Sequence, residues 1–227
     1  VNDRTRPISD HQYTRADFAL PDAAFVFCSF NSVYKITPEL FARWMRILKA
    51  VDGSVLWLLA EDDTASANLR SAATKAGVDA QRLIFGHRLL SPEHLARHRL
   101  ADLFIDTFPC NAHTTASDSL WAGLPLLTCA GESFCARVAA SLLNAVGLPE
   151  LIASSPLQYE ELAIKLAREP ARLAELRSRL ANNRLTAPLF DTEAFTRHLE
   201  DAYRQMYERY QADLPPDHLQ VADRPGT

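Results

Sequence analysis

Three observations predict an α/β fold built on a doubly wound parallel sheet. Short apolar runs alternate with stretches of helical spacing from Ala24 to Ile152. The runs are apolar at successive positions, as strands covered on both faces require. Gly53, Gly77, Gly123 and Gly147 fall where each helix or turn must stop.

Taken in order, residues 1–20 are polar, carry Pro7, and read as a lead-in or linker. Ala24–Ser29 is the first strand. Thr37-Pro38-Glu39 then sets an N-cap with proline in the first turn, and Leu40, Phe41, Trp44, Met45 and Leu48 follow at helical spacing. Asp52-Gly53 turns the chain into a second strand, Val55–Ala60. Glu61-Asp62-Asp63 is an acidic loop after that strand; it has a superficial likeness to a metal-binding motif. Thr64–Lys75 is a helix, Arg82–Phe85 the third strand, and Ser91-Pro92-Glu93 opens a short helix through His98. Leu103–Ile105 is the fourth strand, broken at Pro109 before a helix that ends at Gly123-Leu124-Pro125. Leu126–Thr128 is the fifth strand, Glu132–Val146 its helix, and Leu151-Ile152 a short sixth strand. These elements make residues 21–153 one lobe. Residues 154–211 add helices alone to the same lobe (Pro156–Glu169, Pro170–Asn183 and Thr192–Gln211), with Arg168, Arg172, Arg177 and Arg179 on solvated faces. Residues 212–227, rich in Pro and Asp, read as a poorly ordered tail.

Composition narrows the function. With 227 residues, 48% of them hydrophobic, the chain can bury a core of one large domain. A net charge of −4 without a basic stripe speaks against binding a nucleic-acid backbone. No apolar run reaches membrane-spanning length, so no membrane partner is expected. Cys28, Cys110, Cys129 and Cys135 form no CxxC pair and read as reduced thiols of a cytoplasmic protein. The seven histidines show no ligand spacing, so no metal or other cofactor is expected. The sequence opens on Val1 rather than Met, as expected of a fragment or processed chain.

Ligands of open parallel sheets bind beyond the carboxyl ends of the strands, and three polar clusters fall there. Asn31-Ser32-Val33-Tyr34-Lys35 follows the first strand, Ser91, His94 and Arg97 the third, and His113, Thr114, Thr115 and Asp118 the fourth. Singly, a surface lysine or helical histidine is usually a bystander; together they outline a diphosphate near Lys35 and the Thr114 turn, with base and sugar reaching His94 and Asp118. A helix start offers unpaired N–H groups and partial positive charge, worth about 0.3–2 kcal/mol to an anion. A lysine adds a charge-assisted bond of about 1.5–3 kcal/mol. Asp118 is suited to ribose hydroxyls. Thr115-Ala116-Ser117-Asp118 reads equally well as a capping box that needs no ligand.

The runs CSFNSVYKITPELF (28–41), SVLWLL (54–59), RLIF (82–85), EHLARHRLADLFIDTFPCNAHTTASDSLWAGLPLLT (93–128), GESFCARVAASLL (131–143) and SPLQYEELAIKLA (155–167) resemble the protein O-linked N-acetylglucosamine transferases, in a bacterial form. The resemblance covers roughly Tyr13–Tyr210. It implies the second, Rossmann-like lobe of a two-lobed GT-B glycosyltransferase. That lobe would bind UDP-N-acetylglucosamine for metal-free, inverting transfer to protein Ser or Thr hydroxyls. Carried over by position, it assigns Lys35 to the diphosphate as the residue stabilising departing UDP, and His113, Thr114 and Thr115 to the phosphate turn. Asp118 goes to the ribose, His94, Arg97 and the Leu89 backbone to the uracil, and Cys110 to the N-acetyl pocket. Ser91 and Ser32 depart from the lysine and glutamine usual at those positions, which shortens their reach. The implied partners are a first GT-B lobe, tetratricopeptide-like repeats and a protein acceptor. Other GT-B sugar-nucleotide enzymes (an epimerase, a lipid or small-molecule transferase) and a non-catalytic nucleotide-binding module remain the alternatives.

Overall fold

The computed structural model describes residues 3–60 and 62–222. Six parallel strands, β1 (Val26–Ser29), β2 (Val55–Leu59), β3 (Leu83–Gly86), β4 (Leu103–Ile105), β5 (Leu126–Cys129) and β6 (Ile152–Ala153), form one sheet in the order β3-β2-β1-β4-β5-β6. The order reverses between β1 and β4, each of which pairs through Phe27 and Cys28 against Leu103 and Phe104. Apolar side chains on both faces of β1, β2, β4 and β5 are buried, with Phe27, Trp57, Phe104 and Leu126 fully enclosed. Each such side chain contributes about 1.5–3 kcal/mol of burial free energy.

Local chemistry sets the helices. In α1 (Pro38–Ala50) the Thr37 hydroxyl accepts from Leu40 N–H at 3.2 Å, and Leu40, Phe41, Trp44, Met45 and Leu48 are buried as the spacing predicts. In α2 (Asp63–Lys75) Asp62 is the cap, accepting from Thr64 N–H at 2.8 Å; Glu61 lies outside the described residues. The remaining helices are α3 (Ser91–Arg97), α4 (Thr114–Trp121), α5 (Val138–Ala145), α6 (Pro156–Arg168), α7 (Pro170–Thr186) and α8 (Thr192–Gln211). The helix expected over Glu132–Val146 is split. A 3-10 turn at Phe134–Ala136 precedes α5, and the Cys135 carbonyl is thereby turned to accept Asn111 N–H at 2.9 Å.

Other differences have the same origin, long-range hydrogen bonding. Arg177, expected on a solvated face, is half-buried and donates to the Ala101 carbonyl at 2.6 Å. Arg172 and Arg179 both reach Glu150. The amino-terminal segment is packed on the lobe: Leu20 is in the core, Arg15 pairs with Asp102 at 2.9 Å, and Ser9 N–H donates to the Pro92 carbonyl at 3.1 Å. The first residues after α8 fold back, with Arg209 donating to the Pro215 carbonyl at 2.7 Å; residues 223–227 lie outside the described residues. α8 buries no side chain fully, and Phe195, Tyr203, Met206, Tyr207 and Tyr210 are exposed along it. No helix among the described residues is long and apolar enough to cross a membrane.

Candidate functional site

A cavity of about 450 Å³ opens at the carboxyl edge of the sheet, where the strand order reverses. Three connections build it. Behind β1, Phe30 and Asn31 lead into a 3-10 turn at Val33–Lys35 that presents the half-buried Lys35. Lys35 Nζ donates to the Asn111 carbonyl at 2.8 Å, two residues before His113, so the ammonium sits against the start of α4.

Behind β4, the buried carboxylate of Asp106 organises the turn. It accepts from Thr107 N–H, Ala112 N–H and the Thr128 hydroxyl, each at 2.7 Å, and from Asn31 Nδ2 at 3.2 Å. Burial pushes this carboxyl up to about 7, against the pull of those donors. Asn111 Nδ2 closes the turn on the Thr107 carbonyl at 2.9 Å. α4 then starts at Thr114 with His113 as N-cap and no side chain capping it. The N–H groups of its first turn therefore have no intrahelical partner and stand at the cavity beside the Thr114 and Thr115 hydroxyls.

The capping box expected at Thr115–Asp118 does not form. Because the helix begins two residues earlier, with His113 and not Thr115 as its N-cap, Asp118 stands beyond its first turn, out of reach of the N-cap amide. Its carboxylate instead accepts from Arg6 Nη2 at 2.6 Å.

Behind β3, α3 supplies the opposite wall. Arg97 is fully buried, donating to the His87 carbonyl and to His94 Nδ1, both at 2.6 Å, and its guanidinium lies 4.5 Å from the Phe30 ring centre. A guanidinium only donates, so His94 Nδ1 is an acceptor and Nε2 carries the ring hydrogen. Burial, then the positive charges of Arg97 and Arg6, holds His94 down to about 4, and burial also lowers Arg97 to about 10. His94 is thus a neutral donor, and Arg97 acts from beneath it.

Ser32, Lys35, Leu89, Ser91, His94, Arg97, His113, Thr114, Thr115 and Asp118 all line this one cavity. Cys110 does not; it belongs to the turn tied by Thr107 Oγ1 to its own carbonyl at 2.7 Å. Phe30, Tyr34, Leu59 and Arg88 also line the cavity, while Asp106, Asn111 and Arg6 shape it from behind. Asn31 and Tyr34 were legible as part of the cluster after the first strand. Arg6, 112 residues from its partner, had no local signal. Among the described residues no His, Cys, Asp and Glu side chains group as a metal site.

A 3-2-1-4-5-6 parallel sheet with a polar cavity at its point of reversal is a Rossmann-like lobe, and it matches the Rossmann-like lobe of GT-B glycosyltransferases. Sucrose-phosphate synthase from Thermosynechococcus elongatus shares the fold over 86% of this chain and 48% of its own, at TM-score 0.60 and 19% identity. The chain belongs to glycosyl transferase family 41, whose profile matches residues 6–199. A Caenorhabditis elegans UDP-N-acetylglucosamine--peptide N-acetylglucosaminyltransferase is 39% identical over 91% of this chain and 18% of its own length. The probable enzyme of that name from Arabidopsis thaliana, SEC, is 40% identical over 92% of this chain and 22% of its own. The K341M mutant of Thermobaculum terrenum O-GlcNAc transferase superposes at TM-score 0.77 and 33% identity, over 82% of this chain and 36% of its own. The chain thus spans about a fifth of the length of those curated relatives.

Proposed function

We propose that this chain is the donor-binding lobe of an inverting, metal-independent glycosyltransferase of the cytoplasm, binding UDP-N-acetylglucosamine for transfer to Ser or Thr hydroxyls of proteins. One observation carries this: Lys35, from the connection after β1, meets the uncapped start of α4 through the Asn111 carbonyl at 2.8 Å. Cation and helix start together make an anion site without a glycine-rich loop. The family relatives, which carry UDP-N-acetylglucosamine in their names, support the choice of nucleotide sugar.

In this mechanism the acceptor oxygen attacks the anomeric carbon as the bond to the β-phosphate breaks. The electron pair leaves with UDP, and the hydroxyl proton passes to a base. Lys35, the Thr114 and Thr115 hydroxyls and the first amides of α4 stabilise the charge growing on the diphosphate, the task a metal performs in other transferases. Preorganised donors of this kind are each worth about 2.7–4 kcal/mol when removed. Asp118 accepts from the ribose, and His94 Nε2–H donates to a uracil carbonyl with Leu89 beside it. The base and the acceptor cleft are assigned to a first GT-B lobe, and repeats that select the acceptor precede it. Titration of the chain with UDP, GDP and NAD tests this: UDP is expected to bind most tightly, and no preference for UDP removes it.

A further inference from the structure

We propose that Arg6 is a positioning residue of the donor site. By pairing with Asp118 it orients that carboxylate toward the ribose hydroxyls and cancels its charge beside the diphosphate. The inference rests on the nucleotide-sugar assignment above and adds to it a residue from the segment that precedes the sheet.

An acidic side chain just beyond the first turn of α4 is an electrostatic problem. The same helix start that attracts a diphosphate carries a carboxylate that repels it. Arg6 resolves the conflict geometrically. Its Nη2 meets Asp118 Oδ1 at 2.6 Å, and the two side chains are only 20% and 13% exposed, so solvent screens the pair weakly. With Oδ1 engaged, Oδ2 is the oxygen for a ligand hydroxyl. The partner is also held by its backbone: Trp121 Nε1, one turn along α4 from Asp118, donates to the Arg6 carbonyl at 3.0 Å. Three residues on, Ser9 N–H donates to the Pro92 carbonyl on α3 at 3.1 Å, so the segment straps the two walls of the cavity together. The Arg6 charge is also felt at His94 on the far wall.

A double-mutant cycle in the 227-residue chain tests the role, read by calorimetric titration with UDP and with its 2′,3′-dideoxyribose analogue. Arg6→Ala is expected to weaken UDP by about 10-fold and to reduce the preference for UDP over the dideoxy nucleotide. In an Asp118→Asn background the same change is expected to cost under about 2-fold, because no charge is left to neutralise. Arg6→Gln, which retains a donor, should recover part of the hydroxyl preference. It also provides the same comparison should Arg6→Ala fold poorly by thermal melting. Equal losses in both backgrounds overturn the proposal, since Arg6 would then contact phosphate itself; so does an unchanged or tightened UDP affinity. Absence of UDP binding by the unaltered chain removes the nucleotide assignment together with this role, an outcome distinct from a cycle that fails while UDP still binds.

Discussion

Lys35 is the residue whose chemistry most directly separates a phosphate site from a decorated surface. Its ammonium contacts a carbonyl in the structure, and a bound diphosphate offers it charge instead. Lys35→Ala is therefore expected to weaken UDP by about 10-fold or more, measured by calorimetric titration, and an unchanged dissociation constant would place the nucleotide elsewhere. Asp106 makes a prediction about pH. Its folded-state value of about 7 stands above the ordinary 3.8, so between those limits the folded chain holds a proton that the unfolded chain has released. Its contribution to stability is therefore full below pH 4 and is lost as pH rises toward 7, at most about 1.4 kcal/mol per pH unit. His94 opposes this: its value is lowered from 6.5 to about 4, so its contribution is present above pH 6.5 and lost on acidification. Asp106→Asn removes the first effect alone. The wild-type advantage in chemical denaturation should be largest near pH 4 and shrink toward pH 7; a pH-independent difference would contradict the assignment. The sequence showed Lys35, His94 and Asp118 as candidates because each follows a strand. It did not show Asp106, whose isolated carboxyl beside an apolar run looks like a strand end until its four donors are assembled.

At the scale of elements, β3 and α6 decide how firmly the cavity is held. A side chain added at Gly86, the last residue of β3, would place its Cβ 2.9 Å from Trp57 Nε1 and 3.5 Å from Arg97 Nη1. Trp57 is fully buried, and Arg97 sets the position of His94. Gly86→Ala is expected to cost about 1–3 kcal/mol in denaturant unfolding through overpacking, and to weaken UDP as the α3 wall shifts. In α6, Tyr159 is enclosed; its hydroxyl accepts from Trp44 Nε1 of α1 at 3.1 Å and donates to the Asp106 carbonyl at 2.9 Å. Tyr159→Phe leaves both groups without that partner and should cost about 1–3 kcal/mol. For a chain of this size that is a fall of roughly 2–12 °C in melting temperature. Helix positions were legible from N-caps and apolar spacing, and α1 and α2 lie within a residue or two of expectation. The segment at Glu132–Val146 was not, because its break serves an amide in a different connection.

Across the whole molecule, the reversal of strand order gathers three connections into one edge, and the chain spans about a fifth of the relatives named above. A lobe of this kind is expected to bind the donor and to transfer nothing alone. Incubation with radiolabelled UDP-N-acetylglucosamine and a Ser/Thr-containing peptide should leave the peptide unlabelled, with label expected once the first lobe is supplied. Labelling by this chain unaided would overturn the division of labour between lobes. The exposed face of α8 lends the isolated lobe little stability: Met206, half exposed, should change unfolding free energy by less than about 0.5 kcal/mol when replaced by Ala.

The fold class, the succession of strands and helices, and the families of side chains that follow β1, β3 and β4 were determined by sequence alone. Those features depend on the periodicity and capping of neighbouring residues, and such patterns are local. Tertiary structure decided what each polar group does. Asp118 pairs with Arg6 across 112 positions, Lys35 meets Asn111 across 76, and Arg97 turns inward beneath His94 instead of toward solvent. Hydrogen-bond partners that distant are selected by which surfaces the packed sheet brings together, and periodicity along the chain carries no record of that choice.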